Sequence, residues 1–196
     1  MKNIIRSALF AAVAALVASP VAAQERAFQF NIRGGGFNAL TSLDEAETAD
    51  FKEVGFNIGG GVGFEVNRNL MIRTDFGFAR NDLRIDEVAV DSKLDRFFYD
   101  AALQVQFPSG GWKPYVFVGG GGVTLDPEGP DNSETRAAGT GGVGLDYEVG
   151  NGLGIGVEAK GWLFDFSESG GALSDYDKTQ FEVTWGLKLS YLVPIG

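Results

Sequence analysis

Eight charged side chains lie inside stretches that otherwise alternate between apolar and small or polar residues: Glu65, Arg73, Asp75, Asp100, Glu158, Lys160, Glu182 and Lys188. Two kinds of chemistry are open to such a set. A pair of carboxylates could serve as general acid and base, or acids and bases could neutralise one another in a confined space where an unpaired charge is costly. The chain offers catalysis little help. It contains no histidine and no cysteine, so a serine or water nucleophile has no imidazole base, and neither thiolate chemistry nor a His/Cys metal centre is available. GTGGVG at 139–144 satisfies G-x-G-x-x-G, but it leads into the strand-like LDYEV and not into the helix that a dinucleotide fingerprint needs. No segment has the ligand spacing of an EF-hand. Mutual neutralisation is therefore the expected role. No catalytic, cofactor-binding or metal-ligating residue is assigned, and the eight charges are read as a network filling a lumen.

The elements that must position them have period two, the signature of strands. AFQFNIRGG sets Phe28, Phe30 and Ile32 against Gln29, Asn31 and Arg33. FNIGGGVGFEV, LMIRTDFGFA and FFYDAALQVQF follow, with Glu65, Arg73, Asp75 and Asp100 on their polar faces. PYVFVGGGGV is apolar on both faces and leaves its register open. GTGGVGLDYEV, LGIGVEAKGWL and QFEVTWGLKLSYLV complete the set, the last alternating Phe181, Val183, Trp185, Leu187, Leu189 and Tyr191 with Glu182, Thr184 and Lys188. Eight such segments of about ten residues suit an eight-stranded antiparallel up-and-down transmembrane β-barrel, all-β, with the charged parity inward. Glycines are expected on the inner faces, where they relieve crowding and permit curvature.

The connections sort strictly by length. After segments one, three, five and seven they are long and acidic, at 38–53, 80–96, 125–136 and 165–179; after two, four and six they are short, at Asn67–Asn69, Pro108–Lys113 and Gly150–Asn151. One rim thus carries all the loops and the other only turns, as in outer-membrane barrels. Aromatic residues are expected at both ends of the apolar face: Phe28, Phe64, Phe107, Trp112, Tyr115, Tyr147 and Tyr191 towards the turns, and Phe56, Phe76, Phe78, Phe97, Tyr99 and Phe181 towards the loops. Aliphatic residues fill the band between them.

Residues 1–23 read as a secretory signal peptide: Lys2 and Arg6 precede an apolar run from Ala8 to Ala18, and Val21 and Ala23 are the small residues of a cleavage site before Gln24. That run is far shorter than the roughly 20 residues of a spanning helix. Residues 24–196 then form the single barrel domain. Loss of Lys2 and Arg6 takes the formal charge from −10 to −12, which argues against nucleic acid as a partner.

The signal peptide, the eight alternating segments, PYVFVGGGGV, GVGLDYEV and the C-terminal WGLKLSY together resemble the OmpA/OmpX-like outer-membrane β-barrel domain, the opacity-type or porin family. The resemblance extends over the whole chain after the leader. It implies residence in the outer membrane of a Gram-negative bacterium, contact with lipid and lipopolysaccharide, and assembly through the C-terminal strand, where Gly186, Leu189 and Tyr191 fit the body of the assembly signal. One departure is that the chain continues past Tyr191 with LVPIG. The expected function is non-enzymatic: support of the envelope and presentation of acidic loops. The alternatives are a small-solute or ion pore, an adhesin binding an extracellular ligand through its loops, and a soluble periplasmic binding barrel.

Overall fold

A computed structural model of the chain describes residues 26–41, 49–85, 88–127, 133–165 and 179–195. The expected leader, with its cleavage position between Ala23 and Gln24, lies outside the described residues, as do the central parts of the four long connections. Eight strands follow one another: β1 (Arg26–Ala39), β2 (Ala49–Asn67), β3 (Leu70–Ile85), β4 (Val88–Gln106), β5 (Trp112–Pro127), β6 (Glu134–Gly150), β7 (Leu153–Phe164) and β8 (Gln180–Ile195). Each pairs antiparallel with the next, and β8 returns to β1 from Arg26↔Ile195 to Ala39↔Glu182, closing the barrel without a free edge along that seam.

The alternation expected from sequence governs which side chains turn inward. Phe76, Val118 and Leu187 on the outer face are 66%, 67% and 73% exposed, whereas Arg73 and Lys160 on the inner face are each 2% exposed. β5, apolar on both faces, resolves with Val116 and Val118 outward and Tyr115 and Phe117 inward. Tyr115 therefore does not belong to the outer aromatic girdle; its hydroxyl is used inside the bore. The glycines are divided between the faces instead of lining the lumen alone. Gly120, Gly139 and Gly141 follow the outward parity of Val118 and Val143, while Gly59, Gly61 and Gly186 follow the inward parity of Arg33, Asp75 and Lys188.

Two glycine positions are required by geometry. At the closing seam Gly35 faces Gly186, and a Cβ on Gly35 would lie 2.0 Å from the Trp185 carbonyl oxygen. In the β6–β7 hairpin the turn residues are Asn151 (φ 54°) and Gly152 (φ +79°). Two successive positive φ angles make this the type I′ turn that suits the twist of a hairpin, one residue later than Gly150–Asn151.

The strands run from 12 to 19 residues, longer than the roughly 9–11 needed to cross a bilayer at a tilt. The excess lies at the rim of long connections. Residues 80–96, expected as a loop, mostly continue the β3–β4 hairpin, with pairing from Arg80↔Asp95 to Ile85↔Val88. Likewise β2 already pairs with β3 at Ala49↔Ile85. Backbone pairing does not depend on side-chain polarity, and the nine charged residues of 80–96 concealed this extension. The tail beyond Tyr191 is strand as well. Leu192 donates its N–H to Gly152 O at 2.8 Å, so by alternation Pro194 aims its missing N–H away from β1, at the open side where no ladder bond is lost.

The parity makes a direct prediction. Val157→Arg or Leu187→Arg places a guanidinium on the outer face and should cost about 2–4 kcal/mol in a bilayer. Val157→Leu should be neutral. Unheated detergent-gel mobility of membrane extracts reads the folded fraction, and an arginine variant that folds like the parent would refute the outward assignment.

Candidate functional site

The inner faces of β1, β3, β4, β6, β7 and β8 converge on a charge layer across the middle of the bore. Glu158 on β7 is its hub. Arg73 Nη1 reaches Glu158 Oε2 at 2.8 Å, Arg33 Nη1 reaches Oε1 at 2.5 Å, and the Tyr115 hydroxyl donates to Oε2 at 2.7 Å. Arg73 Nε also contacts Asp75 Oδ2 at 2.8 Å, and Arg33 lies 3.4 Å from Asp75 Oδ1. Lys160 bridges two carboxylates, with Asp75 Oδ2 at 3.2 Å and Asp100 Oδ2 in direct contact. Lys188 pairs with Asp146 Oδ2 at 2.7 Å and donates to the Tyr115 hydroxyl at 3.0 Å. Aromatic rings form platforms for these cations: Arg73 stands 4.6 Å from the Phe117 ring centre and Lys188 4.5 Å from that of Tyr115.

Nearer the loop rim, the bore becomes apolar. Phe37, Leu94, Phe98, Val123, Leu125, Trp162 and Phe164 form a buried cluster, with Phe98 stacked on Trp162 at 4.7 Å between centroids. One ion pair is set among them. Arg96 Nε meets Glu182 Oε1 at 2.8 Å, and the guanidinium lies 4.7 Å from the Phe37 ring centre.

Seven of the eight charges singled out in the sequence therefore meet an opposite charge in the bore. Glu65 is joined by amides instead: Arg73 donates to Gln104, Gln104 to Gln106, and Gln106 Nε2 to Glu65 Oε1 at 3.0 Å. Sequence reasoning missed Arg33, Arg96, Asp146 and Tyr115. Arg33 and Asp146 already stood on polar faces, and parity would have supplied them. Arg96 shares the parity of Asp100 and Gln104 but was hidden in a segment read as loop. Tyr115 lay in the strand whose faces composition cannot distinguish. With these included, five cations (Arg33, Arg73, Arg96, Lys160, Lys188) face five anions (Asp75, Asp100, Asp146, Glu158, Glu182). Chemically this arrangement neutralises, orders and fills. Among the described residues no group of histidine, cysteine or carboxylate side chains is disposed to hold a metal ion.

The Arg96–Glu182 pair gives a test because both side chains are buried beside the apolar cluster, where Asn81 Oδ1 accepts a further hydrogen bond from Arg96 Nη1 at 2.5 Å. Arg96→Met or Glu182→Met alone should destabilise the barrel by about 3–5 kcal/mol, while the double variant should approach the parent. Thermal unfolding in detergent micelles measures both; additive losses in the double variant would show that the pair is not a self-contained unit.

Comparisons with known proteins agree with this architecture. The model of the outer membrane protein β-barrel domain family matches residues 8–188. Neisserial surface protein A is similar in structure, with a TM-score of 0.57 at 11% identity, covering 85% of this chain and 95% of that one. Ail, the attachment invasion locus protein of Yersinia pestis, solved in complex with the heparin analogue sucrose octasulfate, gives 0.53 at 12% identity, covering 87% and 99%. At these identities the likeness is one of fold. No curated protein sequence matches the chain. With the family match spanning nearly the whole barrel and the eight strands closed as described, the chain belongs to the outer membrane protein β-barrel domain family and is a Gram-negative outer-membrane barrel.

Proposed function

We propose that this barrel is a sealed, non-catalytic envelope protein that anchors acidic segments at the cell surface. The observation that carries the reading is the filling of the bore: a balanced charge layer in the middle, backed by an apolar plug towards the loop rim. An eight-stranded barrel has an interior that side chains just fill, whereas aqueous channels are seen at about 16 strands. Every carboxylate of the layer is engaged by arginine or lysine, which favours structural pairing over a general acid and base. The apolar outer band fits membrane lipid. The C-terminal strand is the part through which the outer-membrane assembly machinery would take hold, and its paired tail at 192–195 is compatible with that role.

A second observation favours an interactive role at the surface. The four loop-rim segments hold 18 of the 26 acidic residues but only seven of the 16 basic ones. Such a surface would repel nucleic acid and other polyanions, so a sulfated ligand like that bound to Ail does not suit this chain. A cationic extracellular ligand, or lipopolysaccharide bridged by divalent cations, suits it better.

Two measurements test the proposal. Purified protein in a planar bilayer should show no steady single-channel current; large, sustained currents would promote the pore reading. Protease added to intact cells should cut, if anywhere, between β5 and β6 or between β7 and β8, because long polar connections are the exposed elements. Cutting at Arg68 or Asn151 would invert the orientation.

A further inference from the structure

Asp75 on β3 and Asp100 on β4 stand directly opposite each other in register. Like charges at such a position destabilise a sheet unless something lies between them. Here it is the Lys160 ammonium from β7, in contact with Asp100 Oδ2 and 3.2 Å from Asp75 Oδ2. The three side chains are almost completely dry, at 2% exposure for Lys160, 1% for Asp75 and 0% for Asp100. Lys160 Nζ lies 4.5 Å from the Trp162 ring centre and 5.6 Å from that of Phe117.

The two aspartates differ in what holds them. Asp75 is gripped by Arg73 and Arg33 as well as by Lys160, whose Nζ lies 3.2 Å from its Oδ2. Asp100 has Lys160 as its ion-pair partner, and its Oδ1, like that of Asp75, is buried without a hydrogen bond. Lys188 and Asp146 make a similar ion pair, but there the second group on the ammonium is the Tyr115 hydroxyl and not a carboxylate. Among the described residues only the Lys160 cluster joins an amine, a carboxyl acceptor and a second carboxylate to carry protons in an aromatic, water-poor setting.

We propose that Lys160 and Asp100 condense after folding into an intramolecular isopeptide bond that ties β7 to β4 across the bore. Lys160 gives one proton to Asp75, which relays it to the Asp100 carboxylate and makes a neutral acid. The freed amine attacks Asp100 Cγ, an N–C bond forms and one C–O bond breaks. The departing hydroxyl takes the second proton from the nitrogen and leaves as water, Asp75 is again a carboxylate, and no oxidant or cofactor takes part. A buried ion pair becomes a neutral amide, removing two charges from a low-dielectric site, where their desolvation is costly. The remaining layer keeps its balance of cations and anions.

Intact-mass and peptide mass spectrometry on protein extracted from the outer membrane decides the matter. The folded chain should be one water lighter than its linear mass, trypsin should fail to cut after Lys160, and a branched peptide should join the Lys160 and Asp100 segments. Peptide-level assignment separates this from ammonia loss at an N-terminal glutamine. Protein taken from inclusion bodies should have the linear mass and lose water only on refolding into detergent. Lys160→Arg keeps the charge and should fold, by gel mobility, while remaining linear. Asp75→Asn, if folded, should remain linear too; a crosslink as complete as in the parent would overturn the relay assigned to Asp75. A folded parent with full linear mass and ready cleavage after Lys160 would overturn the bond itself.

Discussion

The bore of an eight-stranded barrel is too narrow to hold a charged side chain surrounded by bulk water, and the interior of this protein follows from that constraint. Each inward arginine or lysine must find an anion within reach, and the partner usually comes from a strand that is not its neighbour in the sheet. Arg33 on β1 meets Glu158 on β7, Lys160 on β7 meets Asp100 on β4, and Arg96 on β4 meets Glu182 on β8. Sheet hydrogen bonds join each strand only to its two neighbours. The ion pairs supply cross-members that those bonds cannot, and they hold the cylinder against flattening.

Where the charges stop, aromatic residues take over. Phe117 and Tyr115 lie beside Arg73 and Lys188, while Phe37 lies beside Arg96. A ring face offers negative electrostatic potential and little hydration, so it covers a guanidinium without adding a carboxylate that would itself need a partner. The inner surface is therefore neither a polar channel nor an ordinary apolar core. It is graded, from glutamine and asparagine at the turn rim, through the ion pairs, to the Phe98–Trp162 stack towards the loops.

Much of this was legible from period two alone. The strand count, the outward faces of β4, β7 and β8 and the inward placement of Arg73, Asp75, Lys160 and Lys188 follow from alternation, because successive side chains must point to opposite faces. Three features were not legible. PYVFVGGGGV carries apolar residues on both faces, so nothing in its composition could turn Tyr115 inward. Segment 80–96 carries nine charged residues among Leu83, Ile85, Val88, Val90 and Leu94, and that charge density weakens the contrast on which periodicity depends although the backbone pairs as before. The partners of each charge were also hidden, since parity says which face a residue occupies but not the height at which strands cross the bore. That height depends on the stagger between strands, which is set around the whole closed sheet and not by any one segment.

The cross-bore pairing also bears on how such a barrel comes into being. A sheet grown strand by strand from β1 would hold Arg33 without Glu158 until β7 arrived, and Arg96 without Glu182 until β8 closed the seam. Every partial sheet therefore leaves charges orphaned, so the intermediates are poor resting states and closure is the step at which most of the interior is satisfied together. Folding should then be concerted, with few halfway forms populated. The long hydrogen-bonded seam between β1 and β8 is the natural latch for that event.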